Sequence, residues 1–175
     1  CDGYCFWTIV DVVIANGAIH SAQGLFDPFW QDKRGGLTAR DFVKFNGTSV
    51  ILTDFSPSCP VVTSGDSRSV TFFVANYDGA TKRDVMLKWT LSSEGKTLVS
   101  GDEKVAEVLE GNARPIATAN MVVPAVARPL KAIFHAELDG IANDWDFWVF
   151  PVRSRRDGAD LAAEFPLLER LSNLY

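Results

Sequence analysis

The chain has 175 residues, 47 % of them hydrophobic and 22 % charged, which is the composition of a globular protein. Its length is enough for one domain of ordinary size and some additional residues. Its formal net charge is −5 and it has no basic run, so it lacks the positive surface typical of nucleic-acid-binding proteins. No apolar run approaches the roughly 18 residues that cross a bilayer. Neither nucleic acid nor a membrane is therefore expected as a partner.

The N-terminal sequence CDGYCFWTIVDVV has no initiator Met and no signal-peptide pattern, so we expect the chain to be cut from something longer. The cysteines Cys1, Cys5 and Cys59 lack metal-ligand spacing, and His20 and His135 lie far apart in sequence. No metal site and no cofactor are predicted. The odd number of cysteines leaves the redox compartment open, and a periplasmic or secreted bacterial location is kept as a hypothesis.

Residues 1–56 combine an apolar run, Gly-rich turns and one helix signal. The near-continuous apolar segment GYCFWTIVDVV is typical of a strand buried on both faces, as in parallel sheets and barrels. Asp11 interrupts this segment, and a buried carboxylate must be either paired or protonated. In GLTARDFVKFNG, Thr38 is placed as an N-cap with Asp41 three residues later, and Gly47 is placed as a stop. This pattern predicts one short helix.

From residue 57 to residue 152 the sequence consists of short runs of strand-forming residues separated by turn residues. This spacing is typical of an antiparallel sandwich of immunoglobulin type, built from two sheets. Trp89 lies in the middle of one such run and is predicted to pack in the core. The predicted strands are 69–76, 84–92, 96–100, 105–109, 114–123, 130–138 and 145–150, with one of the breaks at SGDE.

Residues 153–175 begin with the basic segment RSRRDG and continue with Leu and Phe residues at helical spacing. Pro166 interrupts that spacing, so one or two short helices are predicted. A helical tail has no helical partner inside a sandwich. It therefore either docks on the sandwich surface or begins a further domain.

The residues alone do not indicate a catalytic set. His20 lies in a predicted Gly-rich loop, and no nucleophile elbow, phosphate-binding loop or dinucleotide motif occurs. His135 alternates opposite the apolar residues of KAIFHAEL and is predicted to point out of the core together with Glu137. Their shared face is predicted to be solvated rather than to hold a metal ion. Asp11 lacks a recognisable second carboxylate for glycoside hydrolysis.

The segment NDWDFWVFP carries apolar side chains on both faces of the predicted closing strand. The predicted inner face consists of Trp145, Phe147 and Val149. Trp148 and Phe150 lie on the other face, for which three uses remain open. This face could contact a neighbouring domain, it could be buried between two sheets, or Trp148 could stack on sugar rings together with Tyr77 or Phe150.

Two stretches resemble a known family. The first, DGYCFWTIVDVV through GLFDPFW to TARDFVKFNG, resembles the end of the catalytic (β/α)8 barrel in glycoside hydrolase family 2 proteins related to β-galactosidases. The second, VTSGDSRSVTFFVANY to LDGIANDWDFWVFP, resembles the immunoglobulin-like sandwich that follows this barrel. The resemblance covers about residues 1–152. It implies that residues 1–56 are a remnant of the last βα unit and that the catalytic acid and nucleophile lie upstream of Cys1.

The resemblance implies a non-catalytic accessory module of a glycoside hydrolase-like protein, in which the sandwich supports the catalytic barrel. The alternative is a carbohydrate-binding module that uses exposed aromatic side chains. This fragment is thus not expected to be an enzyme, whereas the parent protein is expected to be a glycosidase of carbohydrate metabolism.

The same resemblance suggests site residues and partners. Family barrels often place an aromatic side chain of the eighth strand against the sugar, a position matched by Trp7, with Phe6 as the alternative. Trp148 is the second candidate for substrate binding. The expected partners are the catalytic barrel of the parent protein and an oligosaccharide. Residues 4–14 would lose their barrel neighbours in this fragment, so self-association through this apolar strand is also expected.

Overall fold

The computed structural model describes residues 8–13, 19–21, 23–33, 37–55 and 61–152. These residues form a mainly β structure with one short helix, and none of their helices is long and apolar enough to cross a membrane. The elements are β1 (Val12–Val13), β2 (Ile19–Ser21), α1 (Ala39–Asn46), β3 (Ser49–Thr53), β4 (Val61–Thr63), β5 (Ser67–Asn76), β6 (Lys82–Ser93), β7 (Lys96–Val108), β8 (Gly111–Val122), β9 (Leu130–Leu138) and β10 (Ile141–Phe150).

The strands of the described residues form a small hairpin sheet, β1 with β2, and two larger sheets. The first large sheet has the order β4-β10-β9-β6-β7 and the second has the order β3-β5-β8. Neighbouring strands are antiparallel, except that β4 runs parallel to β10. The chain passes from β7 directly into β8 and thus from one large sheet to the other, so the β structure is curled.

Both large sheets contribute to one hydrophobic core, whose centre is Phe134 on β9. The alternation of β9 places Phe134 on the buried face because its apolar residues occupy every second position. Five aromatic rings lie around it with centroid distances of 5.1–6.2 Å. These rings belong to Phe55, Phe72, Trp89, Trp145 and Phe147.

The helix prediction is confirmed. The Thr38 hydroxyl accepts a hydrogen bond from the Asp41 backbone N–H at 3.2 Å, and the Asp41 carboxylate accepts one from the Thr38 N–H at 3.1 Å. This reciprocal capping box starts α1, which ends before Gly47. The Asp41 bonds also explain why its pKa lies below the ordinary range, since the Thr38 hydroxyl and N–H both stabilise the carboxylate.

The strand predictions are confirmed for most of the β structure. The predicted strand 130–138 coincides with β9, and β5, β6, β8 and β10 match the predicted strands to within a few residues at their ends. β3 and β4 were not predicted. β3 precedes the predicted domain boundary at residue 56, yet it pairs along its whole length with β5. The division into residues 1–56 and 57–152 stays a prediction, and the helical tail 153–175 lies outside the described residues.

The prediction of separate strands at 96–100 and 105–109 is wrong, because β7 is continuous through the SGDE segment. Gly101 in this segment pairs with Trp89 on β6. A Cβ atom on Gly101 would lie only 2.5 Å from Cζ2 of the Trp89 indole ring. Gly101 therefore leaves room for a ring rather than forming a turn. Trp89 itself is buried, as predicted.

We predict that Gly101→Ala destabilises the protein by about 1–3 kcal/mol, because the added methyl group must displace the Trp89 ring. The control is Ser100→Ala at the neighbouring exposed position, which is expected to change stability by less than about 0.5 kcal/mol. The free energy of unfolding in urea measures both. Equal stabilities for the two variants would contradict this packing role, and Gly101→Ala should cost less in a Trp89→Leu background, where the ring that it displaces is absent.

Candidate functional site

The first half of β10 pairs with β9 on one side, and on the other side it meets α1 and β3 rather than a strand of its own sheet. β4 pairs only with Trp148 and the two residues after it. Upstream, the side-chain amide of Asn143 donates hydrogen bonds to the carbonyl oxygens of Lys44 in α1, at 3.3 Å, and of Ile51 in β3, at 3.0 Å. Asn143 is only 9 % exposed. A buried amide with two carbonyl partners thus attaches the helix and β3 to β10.

On the opposite face of β10, the next residue, Asp144, contacts the same helix through an ion pair. The Asp144 carboxylate accepts a hydrogen bond from Lys44 Nζ at 2.6 Å and lies 2.6 Å from His135 Nδ1. Partial burial works against ionisation of Asp144, but the bonds to Lys44 and His135 outweigh it and lower the pKa of this carboxyl below its ordinary value. Asp144 is therefore ionised at neutral pH. His135 points out of the core, as predicted.

This attachment brings a charged residue of α1 against the β structure. Lys44 contacts β10, whereas Val43 and Phe45 on either side of it are 59 % and 50 % exposed. Helices of globular proteins normally turn their apolar stripe toward the body of the protein. In α1 the charged Lys44 makes that contact. Phe42 is half-buried and packs edge-to-face on Phe45 at a centroid distance of 5.0 Å, and the rest of the Val43 and Phe45 surface is open to another neighbour.

The outer face of the five-stranded sheet carries an apolar patch, which we call the outer patch: Val61, Ile133, Trp148 and Phe150. Trp148 is 38 % exposed and pairs with Val61 on one side and with Lys131 on the other. The Lys131 ammonium and the Asp146 carboxylate form an ion pair at 2.7 Å beside it. Phe147 and Val149 are buried and Trp145 is half-buried, so the predicted division of faces along β10 is confirmed.

The structure does not bring Tyr77 to Trp148. Tyr77 directly follows β5, and the next residue, Asp78, shares the Lys82 ammonium with Asp139 of the β9–β10 turn. These ion pairs place the Tyr77 segment at the start of β10. Trp148 lies seven strand residues further along, or about 23 Å. An aromatic platform that joins Trp148 with Tyr77 is therefore ruled out, whereas Phe150 lies on the same face as Trp148.

Asp11 is buried and paired, which is one of the two states that its sequence position predicted. Its carboxylate accepts hydrogen bonds from Lys33 Nζ at 2.7 Å and from the Gly24 N–H at 2.8 Å. The bond from Lys33 lowers the pKa of Asp11 more than burial raises it. Gly24 approaches this segment so closely that a Cβ would lie 2.4 Å from the Asp11 backbone nitrogen.

The other predicted N-terminal positions are described only in part. Trp7 and Phe6 lie outside the described residues, as do residues 4, 5 and 14 of the predicted strand at residues 4–14. The described part of that strand consists of a bridge from Val10 to Phe26 and the short strand β1. His20 was expected in a loop but lies in β2. Within the described residues no three His, Cys, Asp or Glu side chains are grouped for a metal ion.

Two exposed aromatic side chains in the segment FDPFWQDK were not predicted from the sequence. Phe29 is 79 % exposed and Trp30 is 68 % exposed. The Asp27 carboxylate accepts hydrogen bonds from the backbone N–H groups of Phe29, at 2.8 Å, and of Gln31, at 2.9 Å. The Asp-Pro pair in this segment is a signal for such a side-chain-stabilised turn and could have identified it.

Comparisons with known proteins give one family match. Residues 66–151, just under half of the chain, match the model of a domain of unknown function (DUF8488). The match covers β5 to β10 and leaves out α1 and β1 to β4. A search of curated proteins finds no match.

Two solved structures are similar to parts of the chain. One is the Pseudomonas fluorescens alkylpurine DNA glycosylase AlkC bound to DNA containing an abasic site analog, with 12 % identity over 59 % of this chain and 30 % of that chain, and a TM-score of 0.42. The other is Spo0M, a sporulation control protein from Bacillus subtilis, with 11 % identity over 61 % of this chain and 49 % of that chain, and a TM-score of 0.39. The chain thus spans less than half the length of either protein.

Proposed function

We propose that the chain is a non-catalytic accessory module of a glycoside hydrolase-like protein, in which an immunoglobulin-like sandwich supports a catalytic barrel. The observation that carries this proposal is the orientation of α1. Lys44 attaches the helix to β10, and Val43 and Phe45 stay exposed beside it. In the family that the sequence resembles, the corresponding helix closes the barrel, so these two side chains would face the barrel.

The physical role of the module follows from this arrangement. Full burial of an exposed Val or Phe side chain stabilises a contact by about 1.5–3 kcal/mol. Val43 and Phe45 are 59 % and 50 % exposed, so each supplies roughly half of that when a neighbour covers it. Asn143 and Asp144 then transmit that attachment to the β structure, because they bond the same helix from the two faces of β10. The module holds the end of the barrel in place, and the chemistry belongs to residues of the barrel.

The proposal is tested by co-expressing the chain with a family 2 barrel that ends before its own last βα unit. We expect the two polypeptides to co-purify, and the double variant Val43→Asp with Phe45→Asp to abolish co-purification because it charges the contact. Thr118→Asp, on the exposed face of β8, is the matched control and should leave binding unchanged. Absence of a complex with the unaltered chain, or loss of binding only in the control, would refute the proposal.

A second function is favoured by the surroundings of Trp148. Its partly exposed indole lies beside the Lys131–Asp146 ion pair, which puts a flat apolar face next to hydrogen-bonding groups. Sugar rings likewise present apolar C–H faces next to hydroxyl groups. A carbohydrate-binding module would use this part of the outer patch.

The two functions differ in a calorimetric titration with galacto-, manno- and gluco-oligosaccharides. Carbohydrate binding through the outer patch predicts saturable binding that Trp148→Ala abolishes, while Ile133→Ala at the edge of the patch weakens it only slightly. Binding that is unaffected by Trp148→Ala would contradict this second function. It would leave the barrel-supporting role untouched, since that role depends on α1.

A further inference from the structure

The outer patch is an apolar surface that spans three neighbouring strands, β4, β10 and β9. Trp148 lies opposite Val61 in the strand register and diagonal to Ile133, which lies opposite Asp146. A sheet face with contiguous apolar side chains is normally covered by a second layer of structure. The inner face of this sheet is covered by the sheet β3-β5-β8. At the outer patch, the described residues provide no such cover.

The outer patch is too small to hold a separate protein stably by itself. A fully exposed aromatic side chain offers about 150–250 Å², so Trp148 and Phe150, at 38 % and 40 % exposure, offer about 100 Å² each or less. A stable interface between separate proteins buries about 800 Å² on each side, and four such side chains supply at most about half of that area. A segment of the same chain needs less area, because a short linker keeps it at a millimolar local concentration. The size of the patch therefore favours an occupant that belongs to this chain.

The segment after β10 has a sequence suited to this role. In ADLAAEFPLLERL, apolar residues repeat at helical spacing, namely Leu161, Phe165, Leu168 and Leu171. Isolated helices of this length are marginal in water, so such an apolar stripe needs a surface on which to pack. Pro166 is compatible with the first turn of a second short helix. These residues lie outside the described part of the chain, and their sequence and connection to β10 carry the argument.

The connection between β10 and this segment allows it to reach the outer patch. β10 ends at Phe150, which is itself a member of the patch. From Phe150 the patch runs back to the level of Asp146, over four strand residues or about 13 Å. The polar residues 153–160 can span up to about 26 Å, which is enough to reverse the chain direction. Helical residues 161–171 would then extend for about 16 Å, close to the length of the patch.

We propose that residues 161–171 fold back onto the outer patch and cover Trp148. Leu161, Phe165 and Leu168 supply the apolar side chains of this contact, and residues 153–160 form the turn beyond the end of β10. The outer patch is then an interface within the chain, and any ligand of Trp148 has to displace the tail. This inference goes beyond the barrel-supporting role and does not depend on α1.

Hydrogen exchange of the full chain tests this contact, because amides of a helix that packs on a sheet exchange slowly. We expect the amides of residues 161–171 to exchange at least about tenfold more slowly in the unaltered chain than in Ile133→Lys, which places a charge in the outer patch. Asp146 lies opposite this position and can pair with the new ammonium, so β9 should keep its protection. The matched control is Val122→Lys, at an exposed apolar position of the other large sheet, which should leave the tail protected.

A second set of variants lies in the tail and changes no residue of the described core. Leu161→Asp with Leu168→Asp should remove the protection of residues 161–171, because it charges the apolar stripe. Ala163→Asp is the control for this pair, since helical spacing places residue 163 on the other side of the helix, and it should retain the protection.

Three results would overturn the inference. The first is exchange of the tail amides in the unaltered chain as fast as in the double tail variant, which would leave the outer patch to a separate partner. The second is protection that survives Ile133→Lys but is lost in Val43→Asp with Phe45→Asp or in Val122→Lys, which would place the tail on another surface. The third is protection that falls on dilution, which would assign the patch to the tail of a second copy of the chain.

Discussion

The two hydrogen bonds from the Asn143 side chain are the constraint on which the arrangement of the molecule depends. The first half of β10 has no strand partner on one side among the described residues, and Asn143 supplies the missing connection through the carbonyl groups of Lys44 and Ile51. Ile51 lies in the core, and α1 is held where Lys44 reaches Asp144. As a consequence of this orientation, Val43 and Phe45 of the helix are exposed.

Most of the β structure could be predicted because its local patterns agree with its tertiary contacts. The alternation of β9 continues for the whole strand, and the capping box of α1 is formed by residues three positions apart. Gly101 shows the limit of such patterns. Its type suggested a turn, but its role depends on Trp89, which is twelve positions away in sequence and opposite it in the sheet. β3 and β4 are short and depend on pairing with distant segments.

The candidate sites show the same limit. Alternation placed Trp148 on the outer face of β10, because side-chain direction in a strand follows from sequence position. It could not show that Tyr77, which follows β5 of the other large sheet, lies near the start of β10 rather than near Trp148, since ion pairs across turns set that position. The exposure of Trp30 results from the hydrogen bonds of Asp27 and from a left-handed backbone conformation. Neither produces a periodic pattern of apolar residues in the sequence, so the exposure was not predicted. Asp11 was singled out correctly, but its partner Lys33 lies 22 residues away.

The central claim is that Asn143 joins α1 and β3 to β10, and hydrogen exchange of Asn143→Ala tests it most directly. Loss of an amide that satisfies a buried carbonyl is expected to cost about 1–3 kcal/mol, with faster exchange of the amides in residues 39–53 and unchanged protection in β9. Asp146→Ala, on the exposed face of the same strand, serves as the control. If residues 39–53 exchange in Asn143→Ala as slowly as in the control, the helix and β3 are held by other contacts and the account is wrong.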